Sequence, residues 1–163
     1  MIEQGRFMEM ADTLAVEQGD YVFVEPGTLH AITAGSLVFE IEEGSDFTYR
    51  FYDYNRLDSQ GNPRELHLEK ATNALDINLK SVVKAYNGHE IKEKTYSTKL
   101  INNIEIYTNE SDTLECITLV NGSLIADGIA VAPGSTIVLW PGEKLDASMV
   151  QLAFVSKIRE DKI

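Results

Sequence analysis

The sequence predicts a mainly β protein of the sandwich or barrel type, with one short helix. Three observations carry that prediction. Short apolar runs recur along the chain, such as Tyr21-Val22-Phe23-Val24, Leu37-Val38-Phe39-Glu40-Ile41 and Cys116-Ile117-Thr118-Leu119-Val120. Gly, Pro, Asn, Asp and Ser bound these runs, as turns between strands require. Only one stretch, Asn62-Pro63-Arg64-Glu65, reads as a helix start, with Asn as cap, Pro in the first turn and Glu at the third position.

The elements follow in order. Residues 1–14 place Ile2, Phe7, Met10 and Leu14 on one possible helical face, but Gly5 interrupts it, so the segment reads as a frayed turn and an arm. The stretch from Gly19 to Arg50 organises the first half. A strand at 21–24 ends in Pro26-Gly27, His30 follows, a second strand covers 37–41, and a third runs from Phe47 to Tyr54. In that third run Phe47, Tyr49 and Phe51 share one face and Thr48, Arg50 and Tyr52 the other, which puts Arg50 on the more polar side. Residues 55–64 form a polar loop, and the helix is expected over about 63–75. Residues 76–98 read as a connector with the turn signal Asn87-Gly88. The domain boundary is expected there, giving domains 1–89 and 90–163. The second half holds runs at 104–107, 116–120, 125–131, 137–140 and 151–155.

An internal repeat joins the halves. Gly19-Asp20-Tyr21-Val22-Phe23-Val24-Glu25-Pro26-Gly27 matches Gly134-Ser135-Thr136-Ile137-Val138-Leu139-Trp140-Pro141-Gly142, offset by 115 positions (Gly19 to Gly134). The same offset sets Leu145 opposite His30. The second copy keeps the turn and lacks the imidazole, so it packs where the first can ligate.

Composition narrows the function. The net charge of -12 disfavours nucleic acid and anionic membranes, which need a basic face. It leaves room for a phosphorylated small molecule, which needs one or two local cations. The single Cys116 excludes an internal disulfide and suits a reducing compartment. Apolar runs stay short of the roughly 18 residues of a membrane span. The expected setting is cytoplasmic.

Individual residues read as follows. His30, beside a Pro-Gly turn, is a candidate metal ligand. The alternative for Arg50 is a cross-strand ion pair with Asp46 or Glu40, and for Asp46 a turn cap. Arg56, Arg64 and Lys70 read as solvated surface, with a phosphate as the alternative. His67, between Glu65 and Glu69, reads as structural, His89 as exposed loop, and Cys116 as a small apolar residue. No Ser-His-Asp spacing, phosphate-cradling Gly loop or Cys/His cluster is present in the sequence.

Three runs carry a family resemblance: Pro26-Gly27-Thr28-Leu29-His30-Ala31-Ile32, Ser45 to Arg56 (SDFTYRFYDYNR), and Gly61 to Ala71 (GNPRELHLEKA). Together they resemble type I mannose-6-phosphate isomerase, in its short bacterial form. The resemblance implies a cupin (jelly-roll) fold of two β units, the first incomplete. It implies that His30 is a zinc ligand, that Arg50 faces the substrate as a catalytic residue, and that Asp46 is an acidic residue near it. The implied reaction interconverts mannose 6-phosphate and fructose 6-phosphate through an enediol, with zinc polarising the sugar oxygens. The family's remaining zinc ligands, a Gln-x-His pair and a Glu, and a catalytic lysine correspond to a stretch before the one seen here. The chain is therefore expected to be the C-terminal part of such an enzyme and impaired alone. Its expected partners are a sugar phosphate and either a second copy or a separate N-terminal half. The alternative function is a non-catalytic cupin module for sugar binding, sensing or assembly.

Overall fold

A computed structural model describes residues 6, 9, 11–42, 44, 47–86 and 88–159. The chain divides into two compact units, Met1–Tyr86 and Asn87–Ile163. The architecture is mainly β with one short helix.

In the first unit, strand β1 (Asp20–Phe23) pairs antiparallel with β2 (Val82–Ala85), from Asp20 opposite Ala85 to Phe23 opposite Val82. Val82-Val83 lies inside the segment expected to be a plain connector; β-branched residues suit a strand once a partner is in reach. The runs at 37–41 and 47–54 are not strands here. Leu37 is 98% exposed and Phe47 74%. Alternation marks a strand only where a neighbour accepts its backbone hydrogen bonds, and the described residues of these two runs belong to none of the sheets.

Helix α1 spans Leu68–Ala74, shorter than the expected 63–75. Its start is delayed because the residues before it are engaged elsewhere. Asp58 Oδ1 accepts from the backbone N–H of Asn62 at 2.9 Å, and the Asn62 carbonyl accepts from Asp58 N–H at 2.8 Å. Pro63 forms an isolated bridge with Leu57. The helix therefore begins after His67, whose carbonyl accepts from Ala71 N–H at 2.8 Å.

The second unit is built on an antiparallel sheet in the order β3-β4-β11-β6-β9. These strands are β3 (Ile91–Lys92), β4 (Tyr96–Ile101), β6 (Glu115–Gly122), β9 (Thr136–Leu139) and β11 (Val150–Ile158). Two ribbons complete it: β5 (Ile106–Thr108) with β10 (Lys144–Asp146), and β7 (Leu124–Ala126) with β8 (Ile129–Val131). The alternation in β6 buries Glu115, Ile117 and Leu119 on one face. Ile117 and Leu119 join Ile101, Leu139, Ala153 and Val155 in a continuous apolar core. Leu145 lies in that core as well, so the second copy of the repeat does pack at the position where the first carries His30. The bounding glycines agree in backbone form. Gly19 and Gly27 have φ of 95° and 91°, and Gly134 and Gly142 have 86° and 82°.

At the edge of the core the buried Tyr107 donates its hydroxyl hydrogen to Glu115 Oε2 at 2.6 Å. Burial, and then the hydrogen bond to Glu115 and its charge, hold the phenol proton far above its ordinary range. The folded state keeps this proton where the unfolded chain releases it. The resulting stability is present below about pH 10 and is lost as pH rises above that. Tyr107→Phe is expected to remove this alkaline loss while costing about 1–3 kcal/mol at neutral pH. Urea titrations at the two pH values measure both effects, and an unchanged alkaline slope would contradict the assignment.

Candidate functional site

His30 sits just past the turn at Pro26-Gly27, closed by Thr28 N–H donating to the Glu25 carbonyl at 3.0 Å. Gly27 also ties this turn to the end of α1, since its carbonyl accepts from Asp76 N–H at 3.0 Å. A Cβ at Gly27 would lie 2.9 Å from the Ala74 carbonyl oxygen, so this close approach needs glycine. His30 Nδ1 is 2.9 Å from the Thr28 carbonyl oxygen. A carbonyl only accepts, so Nδ1 carries the hydrogen, and in the neutral ring this leaves the lone pair on Nε2. Fixing one imidazole nitrogen on a backbone carbonyl is how proteins present the other to a metal.

Arg50 is half-buried, and its backbone is held by His67 on both sides. Arg50 N–H donates to His67 Nδ1 at 3.2 Å, and His67 N–H donates to the Arg50 carbonyl at 2.9 Å. The Tyr49 ring lies 6.2 Å from that of His67. The residue that precedes the helix thus fixes the segment carrying the arginine, in keeping with the structural reading of His67. Asp46 lies outside the described residues. Among the described residues no hydrogen bond or ion pair joins His30 to Arg50.

Three residues later stands Asp53, which the sequence does not mark as a site residue and which gathers Arg56 and Arg64, expected to be solvated surface with a phosphate as the alternative. Asp53 is only 5% exposed. Its Oδ1 is 2.5 Å from Arg56 Nη2, and Arg64 Nε is 3.0 Å from its Oδ2, an ion-pair distance without hydrogen-bond alignment. Arg56 N–H also donates to the Asp53 carbonyl at 2.9 Å. One carboxylate thus faces two guanidinium groups, leaving a local excess of one positive charge in a chain of -12. The Asp53-x-x-Arg56 spacing was the available signal, since a turn brings residues three apart together. Lys70 lies on α1 and is exposed.

Zinc is tested by its donors. Catalytic zinc sites use about three protein ligands and a water. His30 supplies one exposed ring nitrogen, but among the described residues no three His, Cys, Asp or Glu side chains gather. These residues alone do not fit the metal. No described helix is long and apolar enough to cross a membrane.

The fold and this cluster describe a mainly β protein whose first unit holds two arginines on one buried carboxylate. Comparison with known proteins is more specific. Mannose-6-phosphate isomerase ManA from Bacillus subtilis (strain 168) is 44% identical over 77 residues, which are 47% of this chain and 24% of that protein. A mannose-6-phosphate isomerase from Streptococcus mutans serotype c is 40% identical over 77 residues, again 47% of this chain and 24% of that one. Over this stretch the chain is a homologue of mannose-6-phosphate isomerases. It spans about a quarter of the length of these relatives. A crystal structure of mannose 6-phosphate isomerase from Bacillus subtilis aligns with 70% of this chain and 41% of its own, at 27% identity and a TM-score of 0.49. No protein-family model matches.

Proposed function

We propose that the first unit provides one wall of an aldose-ketose isomerase site that interconverts mannose 6-phosphate and fructose 6-phosphate. The homology to proteins of that name carries the reading. Isomerisation moves a proton between C1 and C2 through an enediol, and negative charge develops on the sugar oxygens as it does. Arg50, its backbone stapled by His67, is the group that would stabilise that charge. Asp46 would be the acidic residue beside it. The paired Arg56 and Arg64 would receive the phosphate. Guanidinium groups suit phosphate because they offer forked donors, and Asp53 holds these two in place before the ligand arrives. In this reading His30 Nε2 is one zinc ligand, the fold is of the cupin type and the setting is cytoplasmic.

The test is a coupled assay for mannose 6-phosphate turnover by the full chain, with added zinc and with the metal content measured. Arg50→Met is expected to lower kcat by about two to three orders of magnitude, the usual effect of losing one donor to a developing oxyanion. No turnover at high protein concentration, with no zinc retained, would remove the catalytic reading and leave a non-catalytic sugar-binding module. The exposed Leu37 and Phe47 support self-association as part of the same reading. Light scattering at micromolar concentration tests it, and a monomer would count against it.

A further inference from the structure

We infer that the β9 edge of the large sheet in the second unit is where a second copy of this chain docks. The two copies add β9 to β9 in antiparallel fashion and continue one sheet into the next. Strand register carries the argument. Leu119 N–H donates to the Ser135 carbonyl at 3.0 Å, and the same register sets Ile117 opposite Ile137 and Glu115 opposite Leu139. An antiparallel ladder bonds every second residue. Ile137 and Leu139 therefore turn their backbone groups to β6, and Thr136 and Val138 turn theirs away from it. Among the described residues β9 ends the strand order, so no strand meets them there. The next outward N–H, that of Trp140, is taken by Glu143 Oε2 at 2.8 Å.

The two edges of this sheet differ in chemistry. At the other end β3 has the sequence Ile91-Lys92, with Glu90, Glu93 and Lys94 beside it. Short, charged edges of this kind resist strand addition. β9 reads Thr-Ile-Val-Leu, and no Asp, Glu, Lys, Arg or His stands between Gly128 and Gly142. Val138 is 48% exposed and Trp140 62%. Both flank the buried Leu139, so they stand on the side away from the core.

Charge and spacing select a second copy as the occupant. A chain of -12 repels its own kind wherever carboxylates approach, and the strand at this edge brings none. The open groups also complement themselves. With a two-fold axis at Ile137, Thr136 of each copy lies opposite Val138 of the other, and each N–H meets a carbonyl. The contact is smaller than a standard interface, so the dimer is expected to be weak, half-formed at about 0.1 mM. It lies in the second unit and depends neither on the isomerase reading nor on Leu37 and Phe47.

Sedimentation velocity of the full chain, with the emission of its single tryptophan, Trp140, tests the inference from about 5 µM to about 0.5 mM. Association is expected to rise with concentration, with a blue shift as the ring loses water. Val138→Pro removes an outward N–H without touching the β6 ladder, and with it half of the intermolecular bonds. It is expected to weaken this association at least about tenfold. Val138→Lys keeps the strand, brings like charges together and is expected to do the same. Leu37→Asp, in the first unit, is expected to leave the step unchanged. A chain that shows no such step at the highest concentration, leaving the edge to another occupant, would overturn the inference. So would association without a shift in Trp140 emission, a step that survives both Val138 variants, or one abolished by Leu37→Asp.

Discussion

Replacing Gly122 by alanine is expected to destabilise the second unit by about 3–5 kcal/mol. Gly122 ends β6 with φ at 102°, in the region that side chains disfavour. It pairs with Val150, beside the register shifts that bend β11 against β6. A Cβ there would fall 2.4 Å from the Met149 carbonyl oxygen and 2.6 Å from the Gln151 nitrogen. Both are backbone atoms, one in the turn that leads into β11 and one in β11 itself, so neither can swing aside as a side chain would. Relief requires β11 to move, and β11 is hydrogen-bonded to β4 as well as to β6. Loss should appear first as faster hydrogen exchange in β11 and β6, together with a lower urea midpoint. An unchanged midpoint would show that the strand end tolerates a shift the geometry does not suggest.

Leu119→Ala should cost about 3–4 kcal/mol, from lost burial plus the cavity left behind. Leu119 is fully buried on the central strand pair, facing Ala153, and small neighbours of that kind cannot expand to fill the space. Ile129→Ala is the matched comparison. Ile129 is 69% exposed on the β7–β8 ribbon, and its truncation should cost no more than about 0.5 kcal/mol. Urea denaturation of the two variants separates them. Equal effects would mean that the apolar cluster around Leu119 is not the centre of the unit's stability.

Much of the second unit was legible from local pattern. The runs around 117, 125–131, 138 and 153 all became strands, because each alternates and each finds a neighbour within the same stretch of chain. The runs at 37–41 and 47–54 have similar patterns and formed none. Pattern states which face a strand would bury, not whether a partner is present. The helix was recognisable, but its start was misplaced. Asn62 and Pro63 have the chemistry of a helix cap, yet the Asp58 carboxylate holds the Asn62 amide in a tighter turn. His30 and Arg50 were picked out from the sequence. The clamp of Asp53 on Arg56 and Arg64 was not, because it depends on a carboxylate being buried, and burial is not a property of the residue.

The amino-acid order by itself set the β character, the repeat that places Leu145 where His30 stands in the first copy, and the kinship with mannose-6-phosphate isomerases. These follow from spacing and residue type along the chain. Tertiary structure decided which polar groups lose water: Asp53 between two arginines, Glu115 under Tyr107, and Thr113 with no partner. Lys92, Ser97, Lys157 and Glu115 are scattered in the chain and become one row only through strand register. Register is fixed by long-range pairing and core packing, which no local segment encodes.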